Sequence, residues 1–167
     1  MNKQIGEPSA ILYALEDELR SALNRDNSHE ESNDGMDVAI GVFDLEKRTV
    51  SYSGAFRPVI LVRENELTEF SASRFPIGYY GDVEKTFVTT EIELKAGDIF
   101  YFYSDGYCDQ FGGEEVKKFT RKKFKELLLS IQAMPMNDQR SFLEYALKNW
   151  RQNEPQTDDV MVIGLKI

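Results

Sequence analysis

An α+β fold, an antiparallel sheet system with helices segregated from it, is what the periodicities of this chain predict. Three observations carry that prediction. Apolar residues recur every four positions near the N-terminus, and short β-rich runs separated by turn residues fill the middle. Two amphipathic stretches then precede a final apolar run.

Residues Pro8 to about Asn24 read as an amphipathic helix, with Ile11, Leu15, Leu19 and Leu23 on one face and Leu12 and Ala22 beside them. Pro8 suits the first turn, where its missing N–H costs nothing. The polar, acidic stretch Arg25–Asp34 reads as an exposed loop. From Gly35 the period shortens. Met36–Asp44, Thr49–Ser53, Pro58–Arg63 and Leu67–Ser71 are strand candidates, and the turn-like pieces between them predict an antiparallel meander. Two more strands, Lys85–Leu94 and Ile99–Tyr103, flank the compact turn Lys95–Asp98. Phe124, Leu127, Leu128 and Ile131 mark one helix face. Leu143, Ala146, Leu147 and Trp150 mark a second, for which Asn137 is the expected N-cap. The uniformly apolar Val160–Ile167 predicts a strand lying centrally in a sheet. No linker or repeat interrupts the series, so a single domain over residues 1–167 is expected.

At 167 residues the chain is long enough to bury a real core, and 41% hydrophobic with 29% charged residues is ordinary for a soluble globular protein. A formal charge of −9 argues against a nucleic-acid partner, because binding phosphates takes clustered cations. The basic cluster Lys117, Lys118 and Arg121–Lys123 starts a predicted helix and reads as a solvated face. No apolar run approaches the roughly 20 residues of a membrane span. Met1–Gln4 lacks the apolar core of a signal peptide. With Cys108 as the sole cysteine an internal disulfide is excluded, and the cytoplasm is the expected compartment.

Two acidic corners are the candidates for chemistry. Tyr103-Ser104-Asp105-Gly106 closes the apolar run Ile99–Tyr103, and Thr157-Asp158-Asp159 opens Val160–Ile167. Each sets a carboxylate where a strand meets a loop, a usual place for an oxygen ligand to a hard cation. A plain turn explains Asp105-Gly106 equally well. Asp158 and Asp159 alternatively form an acidic loop, and only one of two adjacent strand residues faces a shared site. Gly112 and Gly113 read either as a flexible flap or as an ordinary loop. Asp34 and Asp37 are explained by packing or turn formation, and Tyr101, Phe102, Tyr103 and Tyr107 by the core and its rim. The sole histidine, His29, lies in the polar loop, which disfavours Ser-His-Asp and Cys-His triads and a zinc site.

An ordered set of motifs draws these pieces together. Asp34-Gly35-Met36-Asp37 is followed by Tyr52-Ser53-Gly54-Ala55 with Arg57-Pro58, then by Phe75-Pro76-Ile77-Gly78 and Gly97-Asp98. Ser104-Asp105-Gly106, Asp109-Gln110-Phe111-Gly112-Gly113 and Asp158-Asp159-Val160 complete it. The series resembles the SpoIIE-type branch of the metal-dependent (PPM) protein serine/threonine phosphatases. It is most similar to bacterial forms found at the C-terminus of sensor or repeat-containing signalling proteins. The resemblance runs from the first helix to Ile167. It implies an αββα sandwich with two divalent cations, Mg or Mn, at which a metal-bridging water hydrolyses phosphoserine or phosphothreonine on signalling proteins. It further implies that Asp105 and Asp158 are metal ligands, with Asp159 the second choice, and that no catalytic side chain beyond the ligands is required. The partners it implies are a phosphorylated protein substrate and upstream sensor or repeat domains.

The sequence departs from the family in one respect. Family members carry, ahead of the region matching Pro8–Asn24, a strand with an acidic residue and an Asp-Gly-His-Gly-type motif whose Asp bridges the metals. No such motif occurs here. The expectation is therefore an N-terminally truncated domain, lacking the N-terminal strands and the first metal-binding motif. Such a piece exposes sheet edges and apolar faces, which favours homodimers or aggregation. Alone it would bind divalent ions weakly and show little or no activity. The alternative is a non-catalytic interaction or regulatory module that retains the phosphatase fold.

Overall fold

The computed structural model describes residues 6–23, 35–78 and 83–167. The expected loop Arg25–Asp34, including His29 and Asp34, lies outside the described residues. In chain order the first elements are α1 (Pro8–Leu23), β1 (Gly35–Met36), β2 (Val38–Asp44), β3 (Thr49–Ala55), β4 (Val59–Arg63) and β5 (Glu66–Phe70). Next come β6 (Ile77–Gly78), β7 (Thr90–Glu93), β8 (Ile99–Tyr103), α2 (Gly106–Asp109), β9 (Phe111–Gly112) and β10 (Lys117–Lys118). Helices α3 (Arg121–Ile131) and α4 (Met136–Arg151) precede the last strand, β11 (Val162–Lys166). The chain divides into two compact units, Met1–Val59 with Phe70–Lys95, and Ile60–Glu69 with Ala96–Ile167.

In the first unit an antiparallel sheet has the order β2-β3-β7. The β2–β3 hairpin is in continuous register from Val38↔Ala55 to Asp44↔Thr49. β1 pairs instead with β6. The single strand expected over Met36–Asp44 is therefore broken at Asp37, whose carboxylate meets Arg57 at 2.7 Å as the chain passes from one partner to another. The strand expected over Lys85–Leu94 shortens to β7, since only that part finds a ladder, on β3. Residues just before it bond to α1: Ser9 N–H donates to Thr89 Oγ1, and Phe87 N–H to the Tyr13 hydroxyl.

Helix α1 exists as expected, but it buries a different face. Ser9, Leu12 and Glu16 are buried while Leu15 is 37% exposed. Leu12 packs with Ala55, Ile77 and Phe87. Glu16 enters the same face because its charge is met there. Lys85 Nζ reaches both carboxylate oxygens at 2.9 Å, Gly78 N–H donates at 2.5 Å and Arg20 Nε at 2.7 Å. Lys85 also donates to the Gly78 carbonyl. A buried carboxylate is tolerable only with such compensation.

The second unit carries a sheet of order β11-β8-β4-β5. The expected meander is thus split: β4 does not extend the β2–β3 hairpin but lies between β8 and β5. The turn that redirects it closes on itself, with the Tyr52 hydroxyl donating to the Arg57 carbonyl at 2.5 Å and Phe56 held at a φ of 59°. β11 pairs with β8 from Val162↔Tyr103 to Lys166↔Ile99 and stands at the edge, not in the centre. Its apolar run is covered on one face alone. Gly164 lies where a Cβ would crowd Met136 and the Tyr101 ring, while Met161, Ile163, Leu165 and Ile167 remain exposed.

Behind this sheet, Phe124, Leu128 and Ile131 of α3 form a core with Ile60, Val62, Tyr101, Tyr103 and Tyr107. Each such aliphatic or aromatic side chain contributes about 1.5–3 kcal/mol on full burial. Helix α4 has Pro135 at its N-cap, in extended geometry at φ −54° and ψ 147°. Asn137, the expected cap, is instead inside the first turn. Proline ends the preceding turn with a fixed φ, so the helix starts two residues earlier than an Asn137 cap would place it. Among the described residues no helix is long and apolar enough to cross a membrane.

Candidate metal centre

Where β8 ends, Ser104 ties the first acidic corner to the second. Its N–H donates to the Met161 carbonyl at 3.0 Å, its Oγ donates to the Asp159 carbonyl at 2.7 Å, and the same Oγ accepts from Met161 N–H at 2.9 Å. These bonds prolong the β8–β11 ladder past its last pair, Tyr103 and Val162. Asp105 then adopts helical dihedrals, φ −71° and ψ −19°, as the N-cap of α2. Its carbonyl accepts from Asp109 N–H at 2.9 Å, but its side chain makes no capping bond.

Gly106 closes against the second corner. A Cβ at this position would stand 2.9 Å from the Asp159 carbonyl carbon, closer still to its oxygen, and 3.3 Å from the Asp158 carbonyl oxygen. Residues with positive φ include Gly78, Gly97 and Gly113 but not Gly106. This glycine therefore serves close approach of two main chains and not a left-handed turn. Asp158 and Asp159 are both exposed. Asp158 Oδ1 accepts from Asp159 N–H at 2.7 Å, and the Asp158 carbonyl accepts from Gln156 Nε2 at 2.8 Å. Asp159 acts through its carbonyl, the anchor for Ser104. Asp105 and Asp158 thus ride on segments in backbone contact.

Gly112 and Gly113 open the β9–β10 hairpin and lie against Trp150 at the end of α4. Gly113 N–H donates to the Trp150 carbonyl at 2.8 Å, and a Cβ on either glycine would press on that residue. Gly113 has a φ of +71°, which favours glycine independently of space. Lys123 Nζ sits 3.9 Å from the Trp150 ring centroid and closes the packing. Close packing accounts for both glycines.

The remaining titratable groups near the corners are ill suited to nucleophilic work. Burial pushes the Cys108 thiol up to about 12, so it carries no thiolate near neutral pH. Burial likewise raises Tyr101 to about 12 and lifts Tyr103 and Tyr107 well above the usual phenol range. Asp98, part of the Gly97-Asp98 motif, is 1% exposed and held by Arg63 in a fork at 2.6 and 2.7 Å. That carboxylate is structural. The two corners, by contrast, offer oxygen donors on adjoining segments, a donor type that fits a hard divalent cation. Among the described residues no group of three or more His, Cys, Asp or Glu side chains converges.

Sequence reasoning singled out Asp105, Asp158 and Asp159 but missed Ser104 and Gln110 as connectors. The one available signal was a polar residue within the Ser104-Asp105-Gly106 and Asp109-Gln110-Phe111 motifs, and its partner lay some fifty residues away.

Comparison with known proteins places the chain in a family. The family model described as Stage II sporulation protein E (SpoIIE) matches residues 1–167. No curated protein matches the chain. Among solved structures, the SiaA-PP2C domain of Pseudomonas aeruginosa is similar with a TM-score of 0.86 and 25% identity, over 97% of this chain and 61% of that chain. The phosphatase domain of the cell fate determinant SpoIIE from Bacillus subtilis, Mn presoaked, has a TM-score of 0.62 and 16% identity, over 100% of this chain and 76% of that one. The Mycobacterium tuberculosis serine/threonine phosphatase PstP/Ppp gives 0.64 and 16%, over 93% and 68%. The chain thus spans 61% of the length of the SiaA domain. It belongs to the SpoIIE family, and its fold is that of the PPM-type serine/threonine phosphatase domains.

Proposed function

We propose that this chain carries the Asp105 and Asp158 portion of the metal site of a Mg- or Mn-dependent protein serine/threonine phosphatase. The observation that supports this best is the backbone contact of Gly106 with Asp158 and Asp159, which brings two distant acidic corners together. Divalent cations, two in the complete domain, supply an activated water and neutralise phosphoryl oxygens when bound. The chain's own residues do the positioning. Ser104 clamps the second corner, Gly106 permits the approach, and Asp105 and Asp158 offer carboxylate oxygens, with Asp159 the second choice.

On this reading the substrates are phosphoserine and phosphothreonine of cytoplasmic signalling proteins, and upstream sensor or repeat domains provide control. The chain alone is weakly active or inactive, because its sequence has no Asp-Gly-His-Gly bridging motif. The open edge of β11 is the surface through which copies of the chain would pair. The same missing motif favours a second reading, a non-catalytic interaction module that keeps the fold. Manganese-dependent hydrolysis of p-nitrophenyl phosphate separates the two, measured on this chain and on a form extended by the family's Asp-Gly-His-Gly segment. Activity in the extended form alone, lost in Asp105→Asn, supports the phosphatase. A folded but inactive extended form supports the interaction module.

A further inference from the structure

Gln110 is buried to 1% exposure, and the site described so far gives it no task. Its main chain is pinned first. The Gln110 carbonyl accepts from Trp150 Nε1 at 3.0 Å and from Phe119 N–H at 2.9 Å, which fixes it to α4 and to the end of the β9–β10 hairpin. From there the side chain reaches across. Nε2 donates to the Phe111 carbonyl at 3.1 Å and to the Pro155 carbonyl at 2.9 Å. Both acceptors are carbonyls, which settles the orientation of the amide, since a flip would set oxygen against oxygen.

The other end of the amide is different. Gln110 Oε1 is buried and has no hydrogen-bond partner among the described residues. An idle buried acceptor costs folding free energy, whereas a methionine of similar volume would leave the Phe111 and Pro155 carbonyls without their donor. The amide therefore acts through its two donated bonds, and their reach is what distinguishes it. Gln110 directly follows α2, the helix that Asp105 caps, and Pro155 lies shortly before Asp158. Pro155 has no N–H, so its carbonyl is the one main-chain group by which this segment can be held there. Gln156 then turns its own amide onto the Asp158 carbonyl at 2.8 Å.

We infer that Gln110 is a positioning residue: its amide is a strut, additional to Ser104 and Gly106, that holds the Pro155–Asp159 segment beside α2 and sets the spacing of the Asp105 and Asp158 carboxylates for a divalent cation. The inference rests on the reading of the two corners as one cation site.

The test needs no turnover. Mn2+ is titrated into the full chain, and the paramagnetic broadening of amide NMR signals from residues 104–109 and 156–161 gives the apparent affinity. Gln110→Met removes both donors at similar volume, and Gln110→Glu sets a carboxylate oxygen against the Pro155 carbonyl. Both weaken Mn2+ binding about tenfold, the effect expected of residues that orient metal ligands. A purely structural role moves the Tm and leaves affinity intact at temperatures well below it. A folded Gln110→Met protein with wild-type affinity overturns the inference, whatever its Tm. Failure of both variants to fold also overturns it, because the amide is then a folding residue. Asp105→Asn distinguishes the two levels. If it abolishes the broadening while Gln110→Met does not, the cation site stands and the strut falls. If Asp105→Asn changes nothing, the reading of the site itself falls.

Discussion

In the first unit, the carboxylate of Glu16 meets Lys85, Arg20 and the Gly78 N–H at 2.5–2.9 Å and is almost closed to water. In the second, the carboxylate of Asp158 accepts the N–H of its neighbour Asp159 and stays exposed. Burial alone would raise the pKa of Glu16, but hydrogen bonds from Lys85, Gly78 and Arg20 outweigh it and hold the carboxyl below its ordinary 4.5. An acidic side chain so saturated belongs to the fold, as does Asp98 in the fork of Arg63. An acidic side chain presented on a braced corner, with main-chain contacts fixing the segment and the carboxylate left accessible, is suited to a ligand from outside the chain. The difference lies in how much of the carboxylate is taken up: both oxygens by cations and an N–H in Glu16, a single oxygen by the neighbouring N–H in Asp158.

The comparison breaks most visibly at Lys85. Replacing it by methionine leaves buried Glu16 with Arg20 as its remaining cation, and chemical denaturation should show a loss of about 3 kcal/mol, the lower end for a broken buried pair. A much smaller loss would mean that the Glu16 network is not structural. Next in size is Gly106→Ala, whose methyl has no room beside the Asp159 carbonyl. It should cost about 1–3 kcal/mol by overpacking and also abolish Mn2+ binding, as followed by thermal melts and titration.

Acidification sharpens the contrast further. The folded-state pKa of Glu16 is depressed, so its contribution is complete above the ordinary value of 4.5 and is lost as the pH falls through the lower folded value. Wild-type stability should therefore fall more steeply with acid in that window than that of Glu16→Gln, and equal slopes would contradict the assignment. The smallest effect on stability belongs to Asp158→Asn. An exposed carboxylate with no ion pair among the described residues should change stability by no more than about 0.5 kcal/mol, while Mn2+ binding is lost.

How much of this was legible beforehand depended on whether the partner was local. Strand β8 was readable because the run Ile99–Tyr103 is apolar throughout and bounded by Gly97-Asp98 and Ser104-Asp105-Gly106. The helices were readable from their period. The buried face of α1 was not, since a periodicity scale counts Glu16 as polar and cannot register that Lys85 neutralises it. The break at Asp37 and the edge position of β11 escaped for the same reason: each depends on which strand lies alongside. At the candidate site, the carboxylates of Asp105 and Asp158 stood out as corners of strands. The function of Gly106 did not, because an Asp-Gly pair suggests a turn until the opposing backbone of Asp159 is in view.

That the two corners form one divalent-cation site is tested most directly by Mn2+ stoichiometry and affinity in the wild type, Asp105→Asn, Asp158→Asn and the double variant. For ligands of one shared ion, each single substitution removes the site and the double substitution adds no further loss. Unchanged affinity in either single variant, or losses that simply add in the double, would contradict a shared site.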